Sequence, residues 1–313
     1  MSDELHVIFG TGPLGKWTAR ELVKQGRQVR MVNRSGKAER LPSEVEIVAG
    51  DAYDVAKNIA LTKNATTVYQ CAQPHYYEWA EKFPALQKAI LDAAVANNAK
   101  LVVGDNLYMY GHFSGTLDED APIAPNTKKG EVRARMAQAV LDAHAAGRVR
   151  ATIGRASDFF GPDDFALTSY AILPALQGKS VNLLGRTDLP HTFTYIADFG
   201  RLLATLGRRD EVLGQVWFAP SNPPLTQAEF VELIEAELGK PVKRMVGGAL
   251  MMLFLGLFNK EMAETVEMMY LWTDAYVVET RKAEQAFGLK ATPIKAAIAE
   301  TLAWGRQMLG NKQ

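Results

Sequence analysis

One cysteine, Cys71, stands in the whole sequence. An internal disulfide framework is therefore excluded, and the chain suits a reducing compartment. Neither sign of charge is in excess: 35 Lys and Arg face 35 Asp and Glu. No net field recruits nucleic acid or an acidic membrane, so neither is expected as a partner. Long apolar runs are also missing. The nearest, GGALMMLFLGLF from Gly247 to Phe258, is only about half of the ~20 residues that cross a bilayer. The opening MSDELHVIFG passes from an acidic tip straight into a strand pattern; no signal peptide and a soluble, cytoplasmic protein are expected. No His, Cys and Asp cluster has metal-ligand spacing, so no metal is expected. A Gly-x-Ser-x-Gly elbow is absent too, which argues against an α/β-hydrolase.

What is present is ordinary globular composition, 48% apolar and 22% charged, arranged with a regular rhythm. Short β-type runs (LHVIFG, QVRMVNR, VEIVAGD, TTVYQCA, KLVVGD, VRATIGRAS, QVWFAP) alternate with helical patterns (KWTARELVKQG, FPALQKAILDAAVANN, a helix entering at Thr127, another near SYAILPALQG). That alternation predicts an α/β fold: a doubly wound parallel sheet of Rossmann type, with helices on both faces. From about Thr226 the text turns mostly helical. The expected division is a Rossmann domain over residues 1–165, with 190–220 returning to it. A smaller, mostly helical substrate portion takes 166–189 and 221–313.

After the strand HVIF comes Gly10-Thr11-Gly12-Pro13-Leu14-Gly15, opening a helix. Gly10 allows the tight turn, Gly12 lets the backbone approach a pyrophosphate, and Gly15 lets helix and strand pack closely. The helix N-terminus then holds phosphate, so a dinucleotide is expected. In NAD sites the next strand ends in an acid that bonds the adenine ribose. Here it ends VRMVNRSGK, placing Asn33, Arg34, Ser35 and Lys37 there. Arg34 can pair with a 2′-phosphate and stack on adenine while Ser35 donates a hydrogen bond, which favours NADP (NADPH) over NAD.

The order of these segments resembles the extended, or atypical, short-chain dehydrogenases/reductases of the NAD(P)-dependent epimerase/dehydratase group. The likeness continues through AGDAYD, CAQP, VVGDNLYMYG, GRASDFFGPDD and HTFTYIADFGRLL. It implies that Asp51 and Ala52 meet the adenine, and that Cys71, Ala72 and Gln73 line the cofactor. The family's chemistry rests on a Tyr-x-x-x-Lys pair on one helical face, with a Ser or Thr on the preceding loop. In this chain Thr127 stands at the Tyr position, Glu131 at the Lys position and Asn106 at the Ser position. All three depart from the pattern.

Three explanations compete. Neighbours can rebuild the chemistry, with Tyr108 as acid, Lys128 holding the ribose and Asn106 polarising a carbonyl. The chain can bind NADPH without turnover, as a regulatory protein. Or the alignment is shifted, leaving Lys128 or Lys129 as the functional lysine. The substrate side offers His75, Tyr76, Tyr77 and Trp79 from QPHYYEW, with Asp158 and His191; a loop packed on the following helix explains the aromatics equally. The Met- and Leu-rich ALMMLFLGLF and EMMYLW suit core packing, a homodimer contact or a lid over an apolar substrate. The reading carried forward is an NADP-dependent oxidoreductase acting on a small organic carbonyl or alcohol through a non-standard proton donor. A non-catalytic NADP(H)-binding regulator and a sugar-nucleotide epimerase or dehydratase are the alternatives.

Overall fold

Val7, Ile8 and Phe9 are wholly buried, as a strand flanked on both sides and covered on both faces must be. They belong to β1 (Leu5–Phe9). The structure, a computed structural model, describes residues 4–164 and 167–310. The acidic tip and the expected boundary at 165/166 lie outside the described residues, as does the chain's last triplet. β1 is joined by β2 (Gln28–Asn33), β3 (Val45–Ala49), β4 (Ala65–Gln70), β5 (Lys100–Asp105), β6 (Arg150–Arg155) and β7 (Val216–Phe218). Every pairing is parallel, and the spatial order is β7-β6-β5-β4-β1-β2-β3. The order reverses between β1 and β4. Their carboxyl ends are therefore the topological switch point where such sheets bind ligand.

Crossovers run through α1 (Pro13–Lys24), α2 (Val55–Leu61), α3 (Trp79–Ala96) and α4 (Lys128–Ala145), and α5 (Ile196–Leu206) precedes β7. One face carries α2, α3 and α4 over a core that includes Val68, Leu86, Ile90, Val103, Val132 and Val140. Burying each such side chain contributes about 1.5–3 kcal/mol. The other face carries α1 and α5, whose close approach needs glycine. A Cβ on Gly200 would meet the Trp17 backbone carbon at 2.7 Å, and one on Gly154 would meet Leu203 at 2.5 Å.

The chain divides into two compact units. The first is Met1–Gly111, Pro122–Ala156 and Phe199–Ala219; the second is His112–Ala121, Ser157–Asp198 and Pro220–Gln313. Relative to the expected ranges, 112–121 and 190–198 join the second unit together with Ser157–Asp164. Their strands explain why: Phe159–Phe160 pairs with Thr194–Tyr195, and Thr116–Leu117 with Val277–Val278, each apart from the large sheet. A third parallel pair joins Val181–Leu184 to Arg244–Gly247. The second unit is otherwise helical, with α6 (Gln227–Leu238) and α7 (Ile294–Gly310) on a core of Phe160, Phe193, Phe230, Ile234 and Leu302. Thr226 and Glu229 form a reciprocal capping box at the start of α6, satisfying two otherwise orphan amides. The expected helix near SYAILPALQG is a π-helical turn, Thr168–Ile172, running into Leu173–Leu176. Of the Met-rich stretch, Met252, Met268 and Met269 are core residues, whereas Leu250, Phe254, Leu257 and Phe258 are exposed. No helix among the described residues is long and apolar enough to cross a membrane.

His6, only 1% exposed, shares a hydrogen bond of 2.9 Å with the Tyr69 hydroxyl. Burial, reinforced by the charges of Arg27, Arg208 and Lys100, lowers its pKa from 6.5 to about 4. The folded protein thus holds a neutral imidazole that the unfolded chain protonates below its ordinary value. Stability is present above that value and is lost as pH falls toward the folded one. About 1 kcal/mol is expected to disappear between pH ~7 and pH ~5.5. Urea titrations of wild type and His6→Gln at both pH values check this, since the variant should lack that increment.

Candidate active site

The glycine turn sits at the end of β1. Gly10 has φ +107°, and a Cβ there would lie 2.6 Å from the Ala72 amide nitrogen. The backbone conformation and the neighbour both require glycine. Gly15 lies against the turn itself, since its Cβ would come 2.1 Å from the Gly10 carbonyl oxygen. Gly12 differs: its φ is −73°, and a Cβ would meet nothing within 4 Å. The protein leaves open space beside Gly12, at the N-cap of α1. Pro13 begins that helix, no side chain caps it, and no acid occupies its first turn. Its free amides and positive dipole end suit a phosphate anion. These residues fit a dinucleotide pyrophosphate.

At the end of β2 the side chain of Asn33 organises a turn. Its amide donates to Thr11 Oγ1 at 2.8 Å and to the Lys37 carbonyl at 2.7 Å, and its carbonyl oxygen accepts from Gly36 N at 2.7 Å. Ser35 Oγ turns inward to Asn33 Oδ1 and the Lys37 carbonyl. Arg34 is exposed and makes no hydrogen bond or ion pair among the described residues. Asp51 accepts from Tyr53 N at 3.1 Å, and the Ala52 carbonyl accepts from Asn58 Nδ2 at 2.8 Å. Both are spent locally on shaping the β3–α2 loop. Cys71 continues β4, its amide donating to the Phe9 carbonyl. Burial pushes its thiol up to about 12, opposed by a hydrogen bond with Thr18. The thiol is a protonated packing group beside Ala72, while Gln73 is exposed.

Asp105 anchors the far side of the site. Its carboxylate accepts from Arg133 Nε at 2.7 Å, Arg155 Nε at 3.1 Å and Asn106 N at 2.8 Å, and all three charged residues are buried. Arg155 also donates to the Tyr110 hydroxyl at 2.6 Å. Tyr110 is buried against Phe218 and serves this network. Asn106 Oδ1 accepts from Tyr108 N at 3.2 Å, an Asx-type turn that presents the half-buried Tyr108 ring.

Helix α4 then accounts for the family's missing pair. Thr127 is its N-cap, and Thr127 Oγ1 accepts from Gly130 N at 3.0 Å. Glu131 is exposed. Lys128 is exposed as well, and the buried lysine of this turn is Lys129, 3% exposed, with Nζ 4.5 Å from the Tyr76 ring centroid. Position on the helix is the physical reason. The buried face of α4 runs Lys129, Arg133, Met136 and Val140, at i, i+4, i+7 and i+11, and Lys128 is turned off it. Extending the apolar stripe backwards from Val140 would have found both Lys129 and Arg133.

The aromatic loop separates into parts. Trp79 is buried among Tyr76, Phe83 and Tyr108 and packs the core. His75 and Tyr77 are exposed and stacked on each other at 5.5 Å. Tyr76 is half-buried, and its hydroxyl meets that of Tyr108 at 3.4 Å. Within the second unit, His191 is 3% exposed, bonded to Asp158 at 3.0 Å, and stacked on Trp272 with centroids 4.4 Å apart. Tyr276 lies against it too. The imidazole is held on several sides.

With this geometry in view, comparison with known proteins gives the following. The sequence profile of the NAD dependent epimerase/dehydratase family matches residues 7–217. A 3β-hydroxysteroid dehydrogenase/decarboxylase isoform from Arabidopsis thaliana is 24% identical over 217 residues, 62% of this chain and 38% of that protein. The chain thus spans little more than a third of that relative's length. Among solved structures, a dTDP-glucose 4,6-dehydratase from Streptomyces venezuelae aligns with TM-score 0.78 and 17% identity over 98% of both chains. A UDP-glucuronic acid 4-epimerase from Bacillus cereus aligns with TM-score 0.77 and 15% identity, covering 97% of this chain and 99% of the other. At such identity these structures share the fold.

Proposed function

The chain belongs to the NAD-dependent epimerase/dehydratase family, a family of nicotinamide-dependent enzymes, and from that premise we propose that it is an NADP-dependent oxidoreductase acting on a small organic carbonyl or alcohol, with Tyr108 as proton donor. One contrast carries this reading. The dinucleotide cradle of Gly10, Gly12 and Gly15 is intact, while Thr127 and Glu131 are a helix cap and a solvated acid. The adjoining loop carries the phenol of Tyr108, half-buried, with its amide bonded to Asn106 Oδ1.

Gly10 to Gly15 and the α1 amides would hold the pyrophosphate, and Arg34 would take the 2′-phosphate. A reduced nicotinamide bound there would supply the hydride chemistry. Tyr108 would supply the proton to the substrate oxygen, and in this reading Asn106 Nδ2 would donate to the same oxygen. A nucleoside diphosphate sugar needs cations for its diphosphate. The position where the family carries arginine is His191, packed between Trp272 and Asp158, which supports an uncharged substrate. The plant relative's name, a hydroxysteroid dehydrogenase, describes an apolar alcohol.

Arg34→Ala tests the cofactor assignment. A charge-assisted phosphate contact contributes about 1.5–3 kcal/mol, so NADPH affinity measured by fluorescence titration should fall roughly 10- to 100-fold. NADH affinity should hold. Wild-type protein that binds NADH more tightly than NADPH would overturn it.

A further inference from the structure

Independently of the redox chemistry above, we infer that residues 240–260 dock on an anionic lipid bilayer, with an apolar hairpin tip in the headgroup boundary and lysines at the lipid phosphates. Exposed apolar surface is concentrated there. Of the fourteen large apolar side chains exposed among the described residues, eight fall between Met245 and Phe258. Leu250, Leu257 and Phe258 are 83%, 74% and 79% exposed, nearly as open as in an unfolded chain. Scattered exposed apolar side chains are ordinary, but a contiguous patch of this kind marks an interaction surface.

The shape of the patch favours lipid over a protein partner. The helix Ala249–Gly256 buries only Met252 in this chain, and residues 247–258 carry no polar side chain. At about 100° per residue, Leu253, Leu257, Leu250, Phe254 and Leu255 sweep roughly 200° of its circumference. One packed neighbour covers a stripe of about 100°. A fluid hydrocarbon boundary surrounds such a rod, whereas a flat protein face leaves half of it wet. Length agrees as well: a ten-residue apolar run is too short to cross the ~20-residue span of a bilayer and suits an interfacial segment.

The backbone is prepared for an apolar medium, where an unsatisfied amide is costly. Leu257 N donates to the Phe254 carbonyl at 3.2 Å, and Phe258 N and Asn259 N donate to the Leu255 carbonyl at 3.1 and 3.0 Å. Asn259 Oδ1 then accepts from Glu261 N at 2.9 Å, opening the return helix Lys260–Thr265. Gly256 lets the two helices close on each other, since a Cβ there would lie 2.8 Å from Ala263 Cα. The tip is thus held out as a tight hairpin.

Charge supplies the lipid's sign. From Gly239 to Lys260 there is no acid, while Lys240, Lys243, Arg244 and Lys260 bracket the apolar run. Arg244 is paired with Glu235, and Lys240 and Lys243 are exposed. Acids return only at Glu261, beyond the tip. Zero net charge gives the whole chain no long-range pull toward an anionic surface. Within a Debye length of about 10 Å, however, a local cluster acts by itself.

Co-sedimentation of the full chain with vesicles tests this. Vesicles of phosphatidylcholine with about a third phosphatidylglycerol should bind the protein about 10-fold or more tightly than phosphatidylcholine alone. Lys240→Gln with Lys243→Gln should remove most of that preference. Leu257→Ser with Phe258→Ser should weaken binding to the mixed vesicles about 10-fold or more. Its melting temperature should match wild type, because both side chains are exposed. A separate variant, Phe258→Cys, carries an environment-sensitive dye. Cys71, the sole native cysteine, has its thiol pushed up to about 12 by burial and stays unlabelled. Emission from the dye should move to shorter wavelength on adding the mixed vesicles. Wild-type protein that ignores both vesicle types, binds them equally, or leaves the dye spectrum unmoved overturns the assignment. So does a lipid-free dimer, seen by light scattering, that Leu257→Ser with Phe258→Ser dissociates; the patch would then be a contact between copies of this chain.

Discussion

Asp105→Asn is expected to destabilise the protein by about 3–5 kcal/mol, the usual consequence of removing one partner from a buried charged group. Asp105 lies between two buried guanidiniums, Arg133 and Arg155, and a backbone amide, that of Asn106. Asparagine has nearly the same shape but no charge, so two cations would be left uncompensated in the interior. At about 2–4 °C per kcal/mol for a chain of this size class, the melting temperature should fall by roughly 6–20 °C. The same network holds the floor beneath Tyr108, because Asp105 receives the amide of Asn106 and Asn106 receives that of Tyr108. Calorimetry checks the stability. A melting temperature within about 1 °C of wild type would show that the arginines find other partners.

Gly12→Ala and Gly15→Ala form the second test, with opposite expectations for stability. A methyl on Gly12 meets no protein atom within 4 Å, and its φ of −73° is open to alanine. The variant should fold with stability within about 0.5 kcal/mol of wild type. On the proposed cofactor placement a pyrophosphate would approach through that open space, so NADPH affinity should fall 100-fold or more, roughly 3 kcal/mol. A methyl on Gly15 instead meets the Gly10 carbonyl oxygen at 2.1 Å. Helix α1 must then retreat from the turn, costing about 1–3 kcal/mol and the cofactor site together. Thermal denaturation alongside fluorescence titration separates the two. Unimpaired NADPH binding by Gly12→Ala would remove the cradle from the account.

Most of the first unit was legible in the sequence, and the reason is periodic burial. Strands covered on both faces read as continuous apolar runs, and each of the seven appears where such a run stands. The glycine turn was legible because its constraint is local: Gly10 and Gly15 answer to backbone atoms a few residues away or at the next strand end. The short strand pairs of the second unit were not legible. Phe159–Phe160 or Thr116–Leu117 is too brief to show a period, and the partner lies far along the chain. Which of Lys128 and Lys129 is buried was not legible, for a different reason. Reading from the family pattern fixed attention on Thr127 and Glu131, whereas the helix's own buried stripe passes through Lys129 and Arg133. For Trp79 the sequence left a substrate contact and packing on the following helix equally open, because QPHYYEW stands at a strand end. Only the packing against Phe83 and Tyr108 reveals it as core. Asp105 lay inside VVGDNLYMYG without being singled out; its role comes from two arginines brought to it by neighbouring elements.

The central claim is that this fold moves hydride without the usual tyrosine and lysine on α4. The direct measurement uses NADPH deuterated at its transferable position, incubated with the protein and a panel of aldehydes, ketones and enones, with products read by mass spectrometry. The account predicts deuterium at the former carbonyl or enone carbon of at least one product, with the label lost when Tyr108 is phenylalanine. Tight NADPH binding with no deuterium in any product would contradict it and identify the protein as one that binds the cofactor without using it.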